Sequence, residues 1–244
     1  MDVARQDPEQ LDSIPPPARG RGVLEGAFLL LEEIERAGDC GLSALALRAG
    51  LPKSTARRLL EQLVELGAVE RIGDLYRMGP RIFRFGRKWQ PPPLLLAAAQ
   101  EPVRLLARST GATVGLCVLH GGQVMAVAGV PGEVDRLAPF RPGTTWPWTT
   151  AAGKVLVAFG DARAAGSPPP ASWAREAAQI RASGVATERE RTVQGVSCAA
   201  APVRNRQRQV VAALFALVDA RRELSAVAER VRDAAARIST SLAS

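Results

Sequence analysis

The sequence predicts an α+β chain in two parts, a small helical part closed by one hairpin and a larger part built on a sheet. Three observations carry this reading. Between Val23 and Leu63, apolar residues recur at helical spacing in three consecutive stretches, interrupted at Gly38 and Gly50. Two short strand-like runs then flank Gly73-Asp74, the pattern of a tight hairpin. Beyond Gly111 the pattern changes to Val-, Leu- and Ala-rich runs separated by glycine or polar turns, with helical stretches before, between and after them.

The elements follow in order. In "VLEGAFLLLEEIERAG", Val23, Ala27, Leu30, Leu31 and Ile34 share one helical face, and Gly38 ends the helix. In "LSALALRAGL", Ser43 is the expected N-cap, with Leu45, Ala46 and Ala49 as a short apolar face. Gly50 allows a sharp turn, and Pro52 suits the first turn of the next helix, where its missing N–H costs little. That helix points Ala56, Leu59, Leu60 and Leu63 inward and leaves Lys53, Ser54, Thr55, Arg57, Arg58 and Gln62 outside.

"GLPKSTARRLL" superficially resembles a phosphate-binding loop. Such a loop needs glycine immediately before its lysine and again six residues before it; here those positions hold Pro52 and Leu47. Two helices joined by a tight turn, the second with a basic and hydroxylic outer face, instead make a helix-turn-helix. The runs Ala68–Ile72 and Leu75–Met78 add a wing, whose Arg71 and Arg77 are placed to meet phosphates. The expected partner is double-stranded DNA, contacted by Lys53, Ser54, Thr55, Arg57, Arg58, Arg71 and Arg77.

The second part has expected strands at Thr113–Leu119, Val124–Val130, Ser197–Val203 and Val210–Val218. Expected helices lie at Leu94–Arg108, Thr150–Phe159, Ser172–Ser183 and Arg221–Leu242. Strands joined by hairpins with helices around them imply an antiparallel sheet covered on one side. His120 sits in "LHGGQ", which reads as a hairpin turn rather than the setting of a catalytic base. It is the only histidine, so no catalytic residues are assigned and the chain is not expected to be an enzyme.

Composition agrees. The chain carries a net charge of +8 over 244 residues and a pI near 10.5, which suits an anionic partner. Residues 43–88 hold ten Lys and Arg against four Asp and Glu, a denser excess than the eighteen against eleven of residues 89–244. Cys40, Cys117 and Cys198 lie far apart without C-x-x-C spacing, so neither a zinc site nor a disulfide framework is expected. No metal and no cofactor are assigned. Residues 1–20 are charged and proline-rich without an apolar core, a disordered tail rather than a signal peptide. No apolar run reaches membrane-spanning length. A cytoplasmic location without membrane contact follows as the expectation.

"GLSALALRAGLPKSTARRLLEQLVELGAVER" with "YRMGPRIFRFG" resembles the N-terminal domain of the isocitrate lyase regulator (IclR) family of bacterial transcription factors. "ARSTGATVGLCVLHGGQVMAV", "TTAAGKVLVAF" and "GVSCAAAPVRNRQRQVVAAL" resemble successive segments of its effector-binding domain, in order and spacing. The resemblance runs from about Gly22 to the C-terminus and implies a winged helix-turn-helix over 21–78, a linker helix over 79–93 and a GAF-like effector-binding and oligomerisation domain over 94–244. It also implies a homodimer or tetramer that binds a pseudo-palindromic operator under control of a small-molecule effector.

By the same resemblance, the effector pocket is lined by the segment before the "A-x-G-K" helix, an acidic residue, a cysteine and a Ser-x-Ser pair on the last strand. The corresponding positions here are Trp146, Trp148, Thr149, Thr150, Glu188, Cys198, Phe215 and Leu217. The Ser-x-Ser pair is therefore replaced by Phe215 and Leu217, which cannot hydrogen-bond a small carboxylate. The expected effector is apolar or aromatic, and Arg141, in the "FRPG" turn, is expected to face water. Two alternatives stay open beside it: a pocket filled by Phe215 and Leu217 that binds nothing, and a thiol-based redox switch at Cys198. An enzyme is less favoured than either.

Overall fold

The computed structural model describes residues 22–87, 91–160, 166 and 169–243; the tail expected over residues 1–20 lies outside them. The chain divides into two compact units, Met1–Gln90 and Pro91–Ser244. The division falls within the stretch assigned to a linker.

The first unit runs α1 (Val23–Ala37), β1 (Cys40–Gly41), α2 (Leu42–Arg48), α3 (Lys53–Glu65), β2 (Val69–Ile72), β3 (Leu75–Met78) and α4 (Pro80–Gly86). Leu30 and Ile34 of α1, Leu45 of α2, and Ala56, Leu59 and Leu60 of α3 meet in one core with Val69 and Tyr76 of the hairpin. The anticipated α1 face needs correction at its start, because Val23 is exposed and the buried stripe begins at Gly26. The antiparallel sheet has the order β1-β3-β2. The two-residue β1 was not anticipated, and it displaces the expected cap. Gly41 pairs with Leu75 and the chain passes directly from that strand into α2, so Gly41 occupies the N-cap position and Ser43 lies inside the helix. Pro52 likewise takes the N-cap of α3. In the expected linker, α4 is seven residues long. Its Ile82 packs on the core while Phe83 and Phe85 stay exposed.

The second unit runs α5 (Pro93–Thr110), β4 (Thr113–His120), β5 (Gln123–Val130), β6 (Thr145–Pro147), α6 (Ala151–Phe159), α7 (Trp173–Ser183), β7 (Ala186–Arg189), β8 (Val196–Arg204), β9 (Val210–Asp219) and α8 (Leu224–Ala243). Six strands form an antiparallel sheet of order β6-β5-β4-β9-β8-β7. The β4–β5 hairpin turns at Gly121-Gly122, both with positive φ (57° and 79°), which the twist-matched two-residue turn requires and glycine supplies without strain. His120 ends β4 opposite Gln123 and is exposed.

The sheet is covered on both faces, not one. Along β9, Ala212, Leu214, Ala216 and Val218 pack with α5 and α8. The alternate residues Ala213, Phe215 and Leu217 pack with α6 and α7. Strands buried on both faces lose the apolar–polar alternation and read as continuous apolar runs, as "VVAALFALV" does. The short strands β6 and β7 were not anticipated.

Candidate functional site

Two surfaces can carry function, one on each unit. On the first, α3 buries Ala56, Leu59, Leu60 and Leu63, which turns Lys53, Ser54, Arg57 and Arg58 to the exposed side and leaves Thr55 half-buried. Among the described residues, Lys53, Arg57 and Arg58 take part in no ion pair. Their charge is therefore available to an anion.

The wing differs. Arg77 is paired with Glu70 at 3.0 Å, directly across the hairpin. Arg71 donates to the Gly73 carbonyl at 2.9 Å and reaches Asp74 at 3.4 Å. Its guanidinium also lies 5.8 Å from the centre of the Tyr76 ring. Both wing arginines are thus held by groups of the hairpin itself.

On the second unit, a cavity of about 220 Å³ opens on the α6 side of the sheet. Phe215 and Leu217 of β9 and Val196 and Cys198 of β8 form its floor, with Trp146 of β6 on one side. Leu137, Ala138 and Pro139, from the stretch before β6, close another side. The start of α6 contributes Thr150 and Ala152; β7 and the turn after it contribute Glu188, Thr192 and Val193. Among the described residues, the wall holds no lysine, arginine or histidine.

The floor is shaped by rings and by the glycines that admit them. The Phe215 ring centre lies 6.0 Å from that of Phe140 and 6.0 Å from that of Trp146, edge-on to the latter. Gly115 and Gly129 face each other across β4 and β5. A Cβ on Gly115 would stand 2.5 Å from Phe215, and one on Gly129 2.6 Å from Phe140, distances that real side chains do not adopt. Glycine within a strand here marks where a ring approaches the backbone.

The polar groups cluster at the N-terminus of α6. Thr150 caps the helix, accepting from the Gly153 N–H at 3.3 Å. The Glu188 carboxylate accepts from the Ala151 N–H at 2.9 Å and from the Thr192 hydroxyl at 2.8 Å. A carboxylate at this position complements the helix dipole. The Cys198 thiol is pushed well above its ordinary pKa, first by burial and then by the Glu188 and Cys117 charges. It is a neutral thiol, poorly suited to attack or oxidation.

Six of the eight expected lining positions meet at this cavity: Trp146, Thr150, Glu188, Cys198, Phe215 and Leu217. The other two lie elsewhere. Trp148 is buried against Trp173, ring centres 5.1 Å apart, in the core beneath α6 and α7. Thr149 is exposed. Sequence reasoning missed Leu137 to Pro139, Ala152, Thr192, Val193 and Val196, and it missed the part played by Gly115 and Gly129. Arg141 is 69% exposed and sits near Asp135, outside the cavity wall. Among the described residues, no group of acidic, histidine or cysteine side chains is arranged to hold a metal. Among the described residues, no helix is long and apolar enough to cross a membrane.

Residues 23–73 match the sequence model of the IclR helix-turn-helix domain, and residues 169–240 match that of the bacterial transcriptional regulator IclR C-terminal domain. The HTH-type transcriptional regulator XynR of Escherichia coli (strain K12) is 31% identical over 218 residues, covering 82% of this chain and 83% of its own. The glycerol operon regulatory protein of Streptomyces coelicolor is 33% identical over 190 residues, 71% of this chain and 75% of its own. Among solved structures, an IclR homolog from Microbacterium hydrocarbonoxydans, complexed with 4-hydroxybenzoate, superposes with a TM-score of 0.73 at 22% identity. The match covers 91% of this chain and 99% of that one and establishes the common fold.

Proposed function

The chain belongs to the IclR family of DNA-binding transcriptional regulators, and on that premise we propose that it answers to an uncharged apolar or aromatic effector held in the α6 cavity. Its domains and relatives are transcriptional regulators, not enzymes. In this reading a homodimer, alone or paired into a tetramer, works in the bacterial cytoplasm. It places two α3 helices in successive major grooves of a pseudo-palindromic operator, about 34 Å apart. Lys53, Arg57 and Arg58 supply charge, Ser54 and Thr55 lie at the helix N-terminus where phosphate is favoured, and Arg71 and Arg77 approach from the wing.

The observation that carries the effector reading is the cavity wall. Phe215 and Leu217 form its floor, and among the described residues it holds no cationic side chain and its ionisable groups are Glu188 and the Cys198 thiol. Burying a carboxylate there without donors would cost several kcal/mol, and the Glu188 charge would oppose it further. Thr150, Glu188 and the thiol can orient one uncharged polar end, such as a hydroxyl. The size also suits a single ring, since a dry apolar cavity of about 150 Å³ accepts benzene and this one measures about 220 Å³. The 4-hydroxybenzoate bound by the Microbacterium homolog supports an aromatic ring in this fold; its carboxylate is the part that the wall described here, with Glu188 and no described cation, would disfavour. The open cavity argues against a pocket filled by Phe215 and Leu217, and the neutral buried thiol argues against a redox switch at Cys198.

Calorimetry against a panel of aromatic compounds and short organic acids tests the reading. The expected result is micromolar binding of an uncharged aromatic, with Leu217→Ser gaining affinity for acids. Micromolar binding of glyoxylate or pyruvate, with none for any aromatic, would sink it.

A further inference from the structure

The outer face of α3 carries a charge of the wrong sign for DNA. At 3.6 residues per turn, the line opposite the buried stripe Ala56, Leu59, Leu60 and Leu63 runs through Ser54, Arg58, Glu61 and Glu65. Lys53 and Arg57 lie to one side of it. Glu61 is exposed and borders both surface hollows that Lys53 and Arg57 line. Among the described residues its carboxylate makes no ion pair and no hydrogen bond. It does not serve to hold the neighbouring arginines, as Glu70 and Asp74 do on the wing.

We propose that Glu61 reads a base, accepting a hydrogen bond from the N4 amino group of a cytosine in the major groove, next to a guanine read by Arg58. The proposal rests on α3 being the helix that enters the groove. A carboxylate carried between phosphate backbones opposes binding unless a donor meets it, and an ionised carboxylate can only accept. Guanine presents N7 and O6 and thymine presents O4, all acceptors, so both repel it. Adenine offers N6–H₂ but sets the N7 lone pair beside it. Cytosine offers N4–H₂ and carries no acceptor of its own in the groove.

Arg58, three residues earlier, suits the guanine O6 and N7 pair. Three residues advance about 4.5 Å along the helix, close to the spacing of roughly 3.4 Å between bases along one strand. The two side chains therefore match adjacent positions of a half-site. Arg58 selects by attraction; Glu61 selects mainly by rejecting three of the four bases.

The test is selection of bound sequences from a randomised double-stranded DNA library by the full chain, followed by titration of the winners and their single-base variants. The wild type is expected to fix cytosine beside guanine in each half-site, with about tenfold discrimination or more against the other bases. Glu61→Ala should lose the cytosine preference, keep the guanine, and bind random DNA more tightly. Glu61→Gln should move the preference from cytosine to adenine, because an amide both donates and accepts and pairs with adenine N6 and N7. Arg58→Ala should relax the guanine alone. Glu65→Ala removes an equal charge one turn further on and should leave base preference unchanged.

A cytosine preference that survives Glu61→Ala, or one lost equally in Glu65→Ala, overturns the assignment. A wild-type protein that enriches no sequence overturns α3 as the reader, a separate and distinguishable result.

Discussion

Gly115 and Gly129 decide whether the α6 cavity has its floor. They are cross-strand partners, and their missing side chains leave the space into which Phe140 and Phe215 lean. In Gly115→Ala the three nearest atoms to the new Cβ all belong to those two rings, at 2.5 to 2.8 Å, so the rings must move. Overpacking of this kind costs about 1–3 kcal/mol, and a displaced Phe215 narrows the cavity. Gly115→Ala is therefore expected to lower the denaturant midpoint and weaken aromatic binding together, with Phe215→Leu restoring stability in the double variant. An unchanged midpoint would show that the rings yield freely. A glycine inside a strand run signals close approach, yet which ring fills the space depends on Phe140, far along the chain in an irregular stretch. The same irregularity misplaced Trp148. Between β6 and α6 no period of 2 or 3.6 assigns a face, whereas Phe215 and Leu217 inherit theirs from the alternation of β9.

At the scale of elements, the wing is self-neutralised. Glu70, Arg71, Asp74 and Arg77 sum to zero charge within β2, β3 and their turn, and each arginine has a partner there. In the proposed role of Arg77, DNA has to compete with Glu70 for it. Exposed pairs are worth at most about 1 kcal/mol, so the competition is winnable but reduces the gain. Glu70→Gln is expected to tighten DNA binding a few-fold at low salt. It should also steepen the fall of log affinity with log salt by up to about 0.9, the contribution of one neutralised phosphate. Titrations over a salt series would show it, and an unaltered slope would mean that Arg77 does not meet DNA. The long elements were legible because their periods were: α3 and its buried stripe follow directly from spacing. Strands β1, β6 and β7, with two to four residues each, carry too few residues to display a period. The continuous apolar runs of β8 and β9 announced strands but hid their sidedness, which is why one covered face was expected where two exist.

For the whole molecule, net charge is a poor guide to the DNA surface. Met1–Gln90 holds fourteen Lys and Arg against thirteen Asp and Glu, while Pro91–Ser244 holds eighteen against eleven. The unit with α3 is nearly neutral because acidic residues in the tail and α1 offset a locally basic face. In the proposed function, regulation passes between α3 on one unit and the cavity on the other, and linkage makes that passage measurable without knowing its route. If an aromatic effector changes operator affinity by some factor, operator must change effector affinity by the same factor. A coupling of about 1–3 kcal/mol corresponds to roughly 5- to 150-fold. Calorimetry of the effector with and without a saturating selected operator, and DNA titrations with and without saturating effector, should return one number. A substitution in the cavity floor, such as Leu217→Ser, should alter effector affinity while leaving DNA binding in the absence of effector unchanged. Equal effector affinity with and without operator would mean that the cavity binds a ligand but does not regulate, whatever that ligand proves to be.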